Sequence, residues 1–126
     1  MIKAASLNES LLELLSEPGP TGVLALADDL LLFCIDHQVS LMLSMKDCTI
    51  VDALHQRKET IPVTLSKSVL RTLLARFATL CTPAETMTPY GGTGRIELPD
   101  QSATVQVSIK NTADHQWLEL HPAPIV

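Results

Sequence analysis

Aromatic residues and positive charges are scarce in this chain of 126 residues. Phe, Trp and Tyr together supply only 3% of it, so few rings are available to stack on bases or sugars. Lys and Arg number 9 against 14 Asp and Glu, which gives a formal net charge of −5. No basic run offsets this balance, so we expect neither a nucleic-acid partner nor an anionic membrane surface.

The sequence also lacks a long uninterrupted apolar run. Its most apolar segment, Val23–Ile35, is broken by Asp28 and Asp29 and is too short to span a bilayer. The first residues, Met1–Ser6, carry a single lysine and no apolar run, which is not the pattern of a secretory leader. The three cysteines lie in apolar segments, which favours free thiols in a reducing compartment. We therefore expect a cytoplasmic chain without membrane insertion.

What the sequence does contain is a folding pattern. Hydrophobic residues make up 46% of the chain, enough for one domain with a sizeable core. From Gly94 to Leu120, apolar and polar residues alternate in three stretches, Arg95–Leu98, Ala103–Lys110 and Gln116–Leu120, separated by turn residues. This period predicts an antiparallel meander of three strands with one apolar face.

Helical spacing and further alternation precede the meander. Helices are predicted within residues 1–20, at Thr21–His37, and at Ser66–Leu80 with Ser66 as N-cap. Strands are predicted at Val39–Met45, at Cys48–Leu54 and, as an edge strand, at Ile61–Leu65, with a charged loop at His55–Thr60 between them. The sum is a single α+β domain, with an antiparallel sheet of about five strands and helices on one face.

None of the candidate chemical motifs is complete. Gly91–Gly94 is rich in glycine, but it lacks the following helix and lysine of a phosphate-binding loop, so a flexible turn is predicted. Cys34 with His37 has a spacing that metals use, and Cys48 and His55 follow, yet no second close-spaced pair completes a zinc set. The histidines lie at predicted element ends, where solvent exposure is the default. No catalytic, cofactor-binding or metal-binding residue is therefore predicted.

Five short segments occur in a recognisable order: Val39-Ser40-Leu41-Met42, the amphipathic stretch 70–80, Pro89 with Gly94-Arg95-Ile96, Gln106-Val107-Ser108, and Leu118-Glu119-Leu120. From about Val23 to Pro122 the chain thereby resembles the N-terminal, PAS-like subdomain of the type II secretion and type IV pilus assembly ATPases. That family has Ser-Asp-Ile-His, Pro-Gln-Asp-Gly-Arg and Arg-Val-Ser motifs at the corresponding places.

The departures from the family concern its chemistry. Leu41 and Leu43 replace the acidic and histidine members of the first motif, and Gln106 replaces the arginine that would face a nucleotide. The sequence also contains no Walker motif. The resemblance thus implies a PAS-like core at 21–122, after a capping helix and turn at 1–20 and before a tail at 123–126, acting as a contact domain without hydrolysis.

The sequence predicts a non-catalytic domain that binds a protein partner or itself, in relation to a secretion or pilus apparatus, without a cofactor. The alternative is a PAS-like sensor that holds a small apolar ligand between sheet and helices. The helix at 21–37 is apolar on two sides, so it either packs on both or faces a partner. Trp117, the only tryptophan, either closes the second face of the sheet or centres a contact patch. The predicted interaction surface comprises Leu26, Leu30, Phe33, Met42, Arg95, Gln106 and Trp117.

Overall fold

A computed structural model describes residues 22–52, 57–81, 87–88, 90–101 and 103–124. The helix predicted within residues 1–20 lies outside these ranges. Two helices are α1 (Gly22–His37) and α2 (Lys67–Leu80). The strands are β1 (Val39–Leu43), β2 (Asp47–Asp52), β3 (Arg57–Pro62), β4 (Met87–Thr88), β5 (Gly91–Leu98), β6 (Ala103–Asn111) and β7 (Gln116–Pro124).

The strands form one antiparallel sheet in the order β3-β2-β1-β7-β6-β5-β4. The last strand of the chain, β7, therefore lies at the centre, between β1 and β6. Leu120 of β7 stands opposite Leu41 of β1 on one side and Val107 of β6 on the other. All three side chains are at most 2% exposed. The predicted single α+β domain with helices on one face of an antiparallel sheet is confirmed.

Helix α2 covers the meander, as its sequence pattern predicts. The Ser66 hydroxyl accepts a hydrogen bond from the backbone N–H of Val69 at 3.1 Å, which satisfies one of the free donors at the start of the helix. One apolar face is fully buried on β5, β6, β7 and the neighbouring helix α1. It is made of Leu70, Leu73, Leu74 and Phe77, each 0% exposed.

Helix α1 buries both of its apolar sides. It packs against α2, β1, β6 and β7, and its residues Leu26, Leu30 and Phe33 are 3%, 1% and 6% exposed. Of the two alternatives for this helix, packing on two sides is the one that its burial supports. The expectation that these three residues form an exposed interaction surface is wrong, because each contributes its side chain to the core.

The sheet has more strands than the approximate five predicted from alternation. Residues 57–60 of the charged segment predicted as a loop belong to strand β3, which pairs with β2 from Arg57↔Asp52 to Pro62↔Asp47, and residues 55–56 lie outside the described ranges. Lys58 and Glu59 are exposed there, and charged side chains are common on an edge strand because they discourage further pairing. An edge strand was predicted at Ile61–Leu65, and the observed one runs from Arg57 to Pro62. Its start was misplaced because an exposed edge needs no apolar side.

Two further boundaries differ from the sequence prediction. The glycines of Gly91–Gly94 lie inside β5, paired with residues Lys110 to Val107 of β6, and are not a free turn. Gly91 has a packing reason for glycine, since a Cβ there would approach the Ile109 carbonyl oxygen to 3.3 Å. Strand β7 continues to Pro124, so residues 123–124 are strand and not tail.

Replacing Phe77 with alanine is expected to destabilise the fold by about 3–5 kcal/mol, because a fully buried ring leaves a cavity between α2 and the sheet. Urea denaturation followed by circular dichroism measures the change. Leu32→Ala is the control, because Leu32 is a large apolar helix residue that is 38% exposed and its loss should cost within about 0.5 kcal/mol. Equal losses in the two variants would contradict the assigned core.

Candidate functional site

The two helices among the described residues, α1 and α2, cover the same side of the sheet. The opposite side, turned away from these two helices, is here called the open face. Alternation decides which residues lie on it, because the neighbours of buried Leu41, Val107 and Leu120 point the other way. One row across the open face follows the strand register through Thr60, Thr49, Met42, Glu119, Ser108 and Thr93. The adjacent row contains Lys58, Val51, Ser40, His121, Gln106 and Arg95.

Four of the seven predicted interaction residues lie on this open face. Met42, Arg95, Gln106 and Trp117 come from β1, β5, β6 and β7, respectively. Arg95 stands directly opposite Gln106, and Gln106 stands opposite His121. Arg95 and Gln106 are exposed, whereas Met42 and Trp117 are half-buried among their neighbours. The fold therefore gathers these four residues on one surface, while the three from α1 lie in the core.

A chain of hydrogen bonds occupies the centre of the open face. The Nδ1 atom of His121 lies 3.0 Å from Ser40 Oγ on the neighbouring strand. Its Nε2 atom lies 3.3 Å from Glu119 Oε1, two residues earlier on the same face. The His121 and Glu119 side chains are 43% and 34% exposed, so the network is open to solvent and to any molecule that docks on the sheet.

A serine, a histidine and a carboxylate hydrogen-bonded in this order also form the catalytic triad of serine hydrolases, but catalysis needs more than these three side chains. A serine nucleophile requires backbone N–H donors directed at the developing oxyanion. Here Ser40 and His121 lie within strands that are paired on both sides, where the backbone groups serve the sheet. The network is thus a cross-strand contact that links the side chains of β1 and β7.

Trp117 is held at one end of the open face by the turn between β6 and β7. The backbone N–H of Thr112 donates to the His115 carbonyl at 2.8 Å and closes this turn. The His115 ring stacks on Trp117, with centroids 6.1 Å apart and planes inclined by 15°. The ammonium group of Lys67, at the start of α2, donates to the Ala113 carbonyl at 2.9 Å. These contacts hold the turn against the start of α2 and place the His115 ring beside the indole.

The cysteines belong to the interior. Cys34, Cys48 and Cys81 are free and buried. Burial raises the pKa of each thiol, to about 12 for Cys48 and about 11 for Cys81, and for Cys34 further still. The histidine paired with Cys34 in the sequence analysis, His37, packs its ring 4.6 Å from that of Phe33. Within the ranges that the structure describes, no three His, Cys, Asp or Glu side chains gather as metal ligands would, and His55 lies outside them.

Sequence reasoning missed the hydrogen-bonded network. His121 was expected to be an exposed histidine at the end of an element, but it lies within β7 and bonds to Ser40, 81 residues away. The polar alternation of both strands was visible in the sequence. Their register was not, because no local signal specifies which residue of β7 stands opposite Ser40.

No known protein family matches the sequence, and a search of characterised proteins finds no significant relative. Neither helix among the described residues has the length and apolar character needed to cross a membrane.

The buried thiols are expected to resist chemical modification in the folded chain. A thiol-specific disulfide reagent at about pH 8 should label none of the three in buffer and all three after unfolding, because thiolate is the reactive form. Rapid labelling of the native chain would contradict their burial.

The same thiols make stability depend on alkaline pH. An ordinary thiol in the unfolded chain has a pKa of 9.0, whereas burial raises the pKa of Cys48 to about 12. The free energy of unfolding should therefore be constant with respect to these groups below pH 9.0 and should fall as pH rises towards 12. Urea titrations of the wild type and Cys48→Ala across this window provide the measurement, and the variant should show the shallower decline.

Proposed function

We propose that this chain is a non-catalytic protein-binding domain that contacts its partner through the open face of the sheet. The observation that carries the proposal is the convergence of Met42, Arg95, Gln106 and Trp117, from four different strands, on the side of the sheet that the helices do not cover.

The chemistry of the open face supports protein as the ligand. Trp, Met and Arg are enriched at interface centres. The half-buried Trp117 and Met42 offer apolar area without forming a large exposed hydrophobic patch. Charges of both signs surround them: Lys58 and Lys110 are positive, and Glu119 is negative. A surface of this kind suits a folded protein of mixed charge better than a polyanion.

The size and stiffness of the surface support the same proposal. Six strands longer than β4, spaced by about 4.8 Å, extend roughly 24 Å from the first to the last. The same strands have five to nine residues and are roughly 17 to 30 Å long at about 3.3 Å per residue. The face therefore covers several hundred Å², which approaches the roughly 800 Å² per partner that a specific interface buries. The Ser40–His121–Glu119 network orients its side chains before binding, which reduces the entropy lost on contact.

We further propose that the partner belongs to a secretion or pilus apparatus. The support is the resemblance to the PAS-like subdomain of the assembly ATPases, together with the order helix, strands, helix and three-stranded meander. The sensor alternative has weaker support, because protein side chains such as Phe77, Leu30 and Leu70 occupy the space between helices and sheet.

Site-specific photo-crosslinking in the native cell is the experiment that tests the open face. A photoreactive amino acid at Met42 or Gln106 should yield a defined crosslinked protein, identified by mass spectrometry. The control position is Arg71, which is exposed on α2 at the opposite side of the fold. A crosslinked protein obtained from position Arg71 but from neither Met42 nor Gln106 would contradict the proposal.

Two substitutions on the open face measure its contribution to the affinity for the protein identified by crosslinking. Trp117→Ala and Met42→Asp should each weaken binding at least about tenfold, because one removes an anchor and the other places a charge at the interface centre. Arg71→Ala should leave affinity unchanged within about twofold. Isothermal titration calorimetry gives the affinities, and undiminished binding by both open-face variants would exclude this surface.

A further inference from the structure

Gln116, the first residue of β7, has a polar side chain in a buried position. It is 5% exposed and points to the helix side of the sheet, whereas its neighbour Trp117 points to the open face. A buried amide costs free energy unless it is hydrogen-bonded. The Nε2 atom of Gln116 donates to the backbone carbonyl of Thr112, in the turn between β6 and β7. The buried amide therefore holds this turn.

This contact changes the way in which the turn closes. In an ordinary two-residue hairpin, the residues that flank the loop exchange both backbone N–H···O=C bonds. Thr112 and His115 flank this loop, and the N–H of Thr112 donates to the His115 carbonyl at 2.8 Å. The N–H of His115 instead donates to the Thr112 hydroxyl oxygen at 3.1 Å, while the Thr112 carbonyl accepts from Gln116. Two side chains thus replace one backbone hydrogen bond.

The altered closure affects Trp117 through His115. His115 is the residue whose backbone N–H is redirected, and its ring is the one that stacks on the indole. The same turn is also held at Ala113, whose carbonyl accepts from Lys67 Nζ at 2.9 Å. Contacts made by a buried residue and by a helix therefore set the surroundings of an indole on the open face.

We propose that Gln116 is a positioning residue for partner binding: its buried amide holds the Thr112–His115 turn in this closure, and the turn keeps the His115 ring on Trp117. This inference rests on the proposed function, in which Trp117 is an anchor, and adds a residue that lies on the other side of the sheet. An anchor whose surroundings are fixed before contact loses less entropy on binding. Gln116 thus raises the affinity without lying on the open face.

The fold itself does not need the amide, because the turn has another way to close. With an apolar side chain at position 116, the Thr112 carbonyl is free to accept from the His115 N–H, as in an ordinary hairpin. That exchange rotates the peptide groups of the turn and moves the His115 ring off the indole. Gln116→Met keeps the length of the side chain, so the chain should stay folded while the stack is lost.

Tryptophan fluorescence tests the positioning, because Trp117 is the only tryptophan in the chain. Gln116→Met should increase quenching by acrylamide and shift the emission maximum to longer wavelength, since the His115 ring no longer covers the indole. Thr112→Val, at an exposed position, removes the hydroxyl that accepts from His115 and should have the same effect. Thr72→Val is the control, because Thr72 is exposed on α2 and its hydroxyl bonds within that helix. Circular dichroism confirms that each variant is folded.

A double-mutant cycle with the protein identified by crosslinking tests the role in binding. Gln116→Met and Thr112→Val should each weaken the affinity about three- to tenfold, because the turn and the indole are then ordered only on contact. In the Trp117→Ala background, Gln116→Met should have no further effect, because Gln116 acts through the indole. Isothermal titration calorimetry gives the affinities of the cycle, and Thr72→Val should bind as the wild type does.

The cycle separates this inference from the proposed function. Wild-type fluorescence in both turn variants would overturn the inference, as would an equal loss of affinity from Gln116→Met with and without Trp117. Wild-type affinity in Gln116→Met and Thr112→Val, beside a weakened Trp117→Ala, would overturn the inference and leave the proposed function standing. Wild-type affinity in Trp117→Ala would contradict Trp117 as an anchor, and the inference would fall with it.

Discussion

The antiparallel pairing of β1 with β7 is the contact on which the rest of this structure depends. It joins a sheet half made early in the chain, β3-β2-β1, to a half made late, β7-β6-β5-β4. Leu41 and Leu43 meet Leu120 and Leu118 there, and all four are at most 2% exposed beneath the helices. Closing a loop of more than seventy residues is an entropic cost that this apolar burial offsets, so we expect β1 and β7 to meet late in folding.

The same pairing creates the open face. Ser40 and His121 approach each other only because β1 and β7 are neighbours, and Met42 meets Glu119 for the same reason. The open face is thus built from strands that lie far apart in the chain but are fixed by one core. Its rigidity follows from the helix side, where close packing prevents the strands from sliding.

Some elements could be predicted from the sequence because their signal is local. Helix α2 begins after Ser66, as its cap and period predict, and β6 follows the alternation of Ala103–Lys110. The start of edge strand β3 was misplaced because the charged residues 57–60 suit an exposed edge as well as a loop. Leu30 was wrongly assigned to an interaction surface because a helix apolar on both sides has the same pattern in a core as at an interface.

What the sequence determined by itself is helix α2, strand β6 and the buried side of each, since period, caps and turn residues act within a few positions. That local information includes the alternation that places Met42, Gln106 and Trp117 on the polar sides of their strands. What only the tertiary structure decided is the order of the strands, and with it which polar sides share a surface. Strand order depends on pairings between residues up to 79 positions apart, such as Leu41 with Leu120, and the energies that select them come from burial under the helices, not from any single segment.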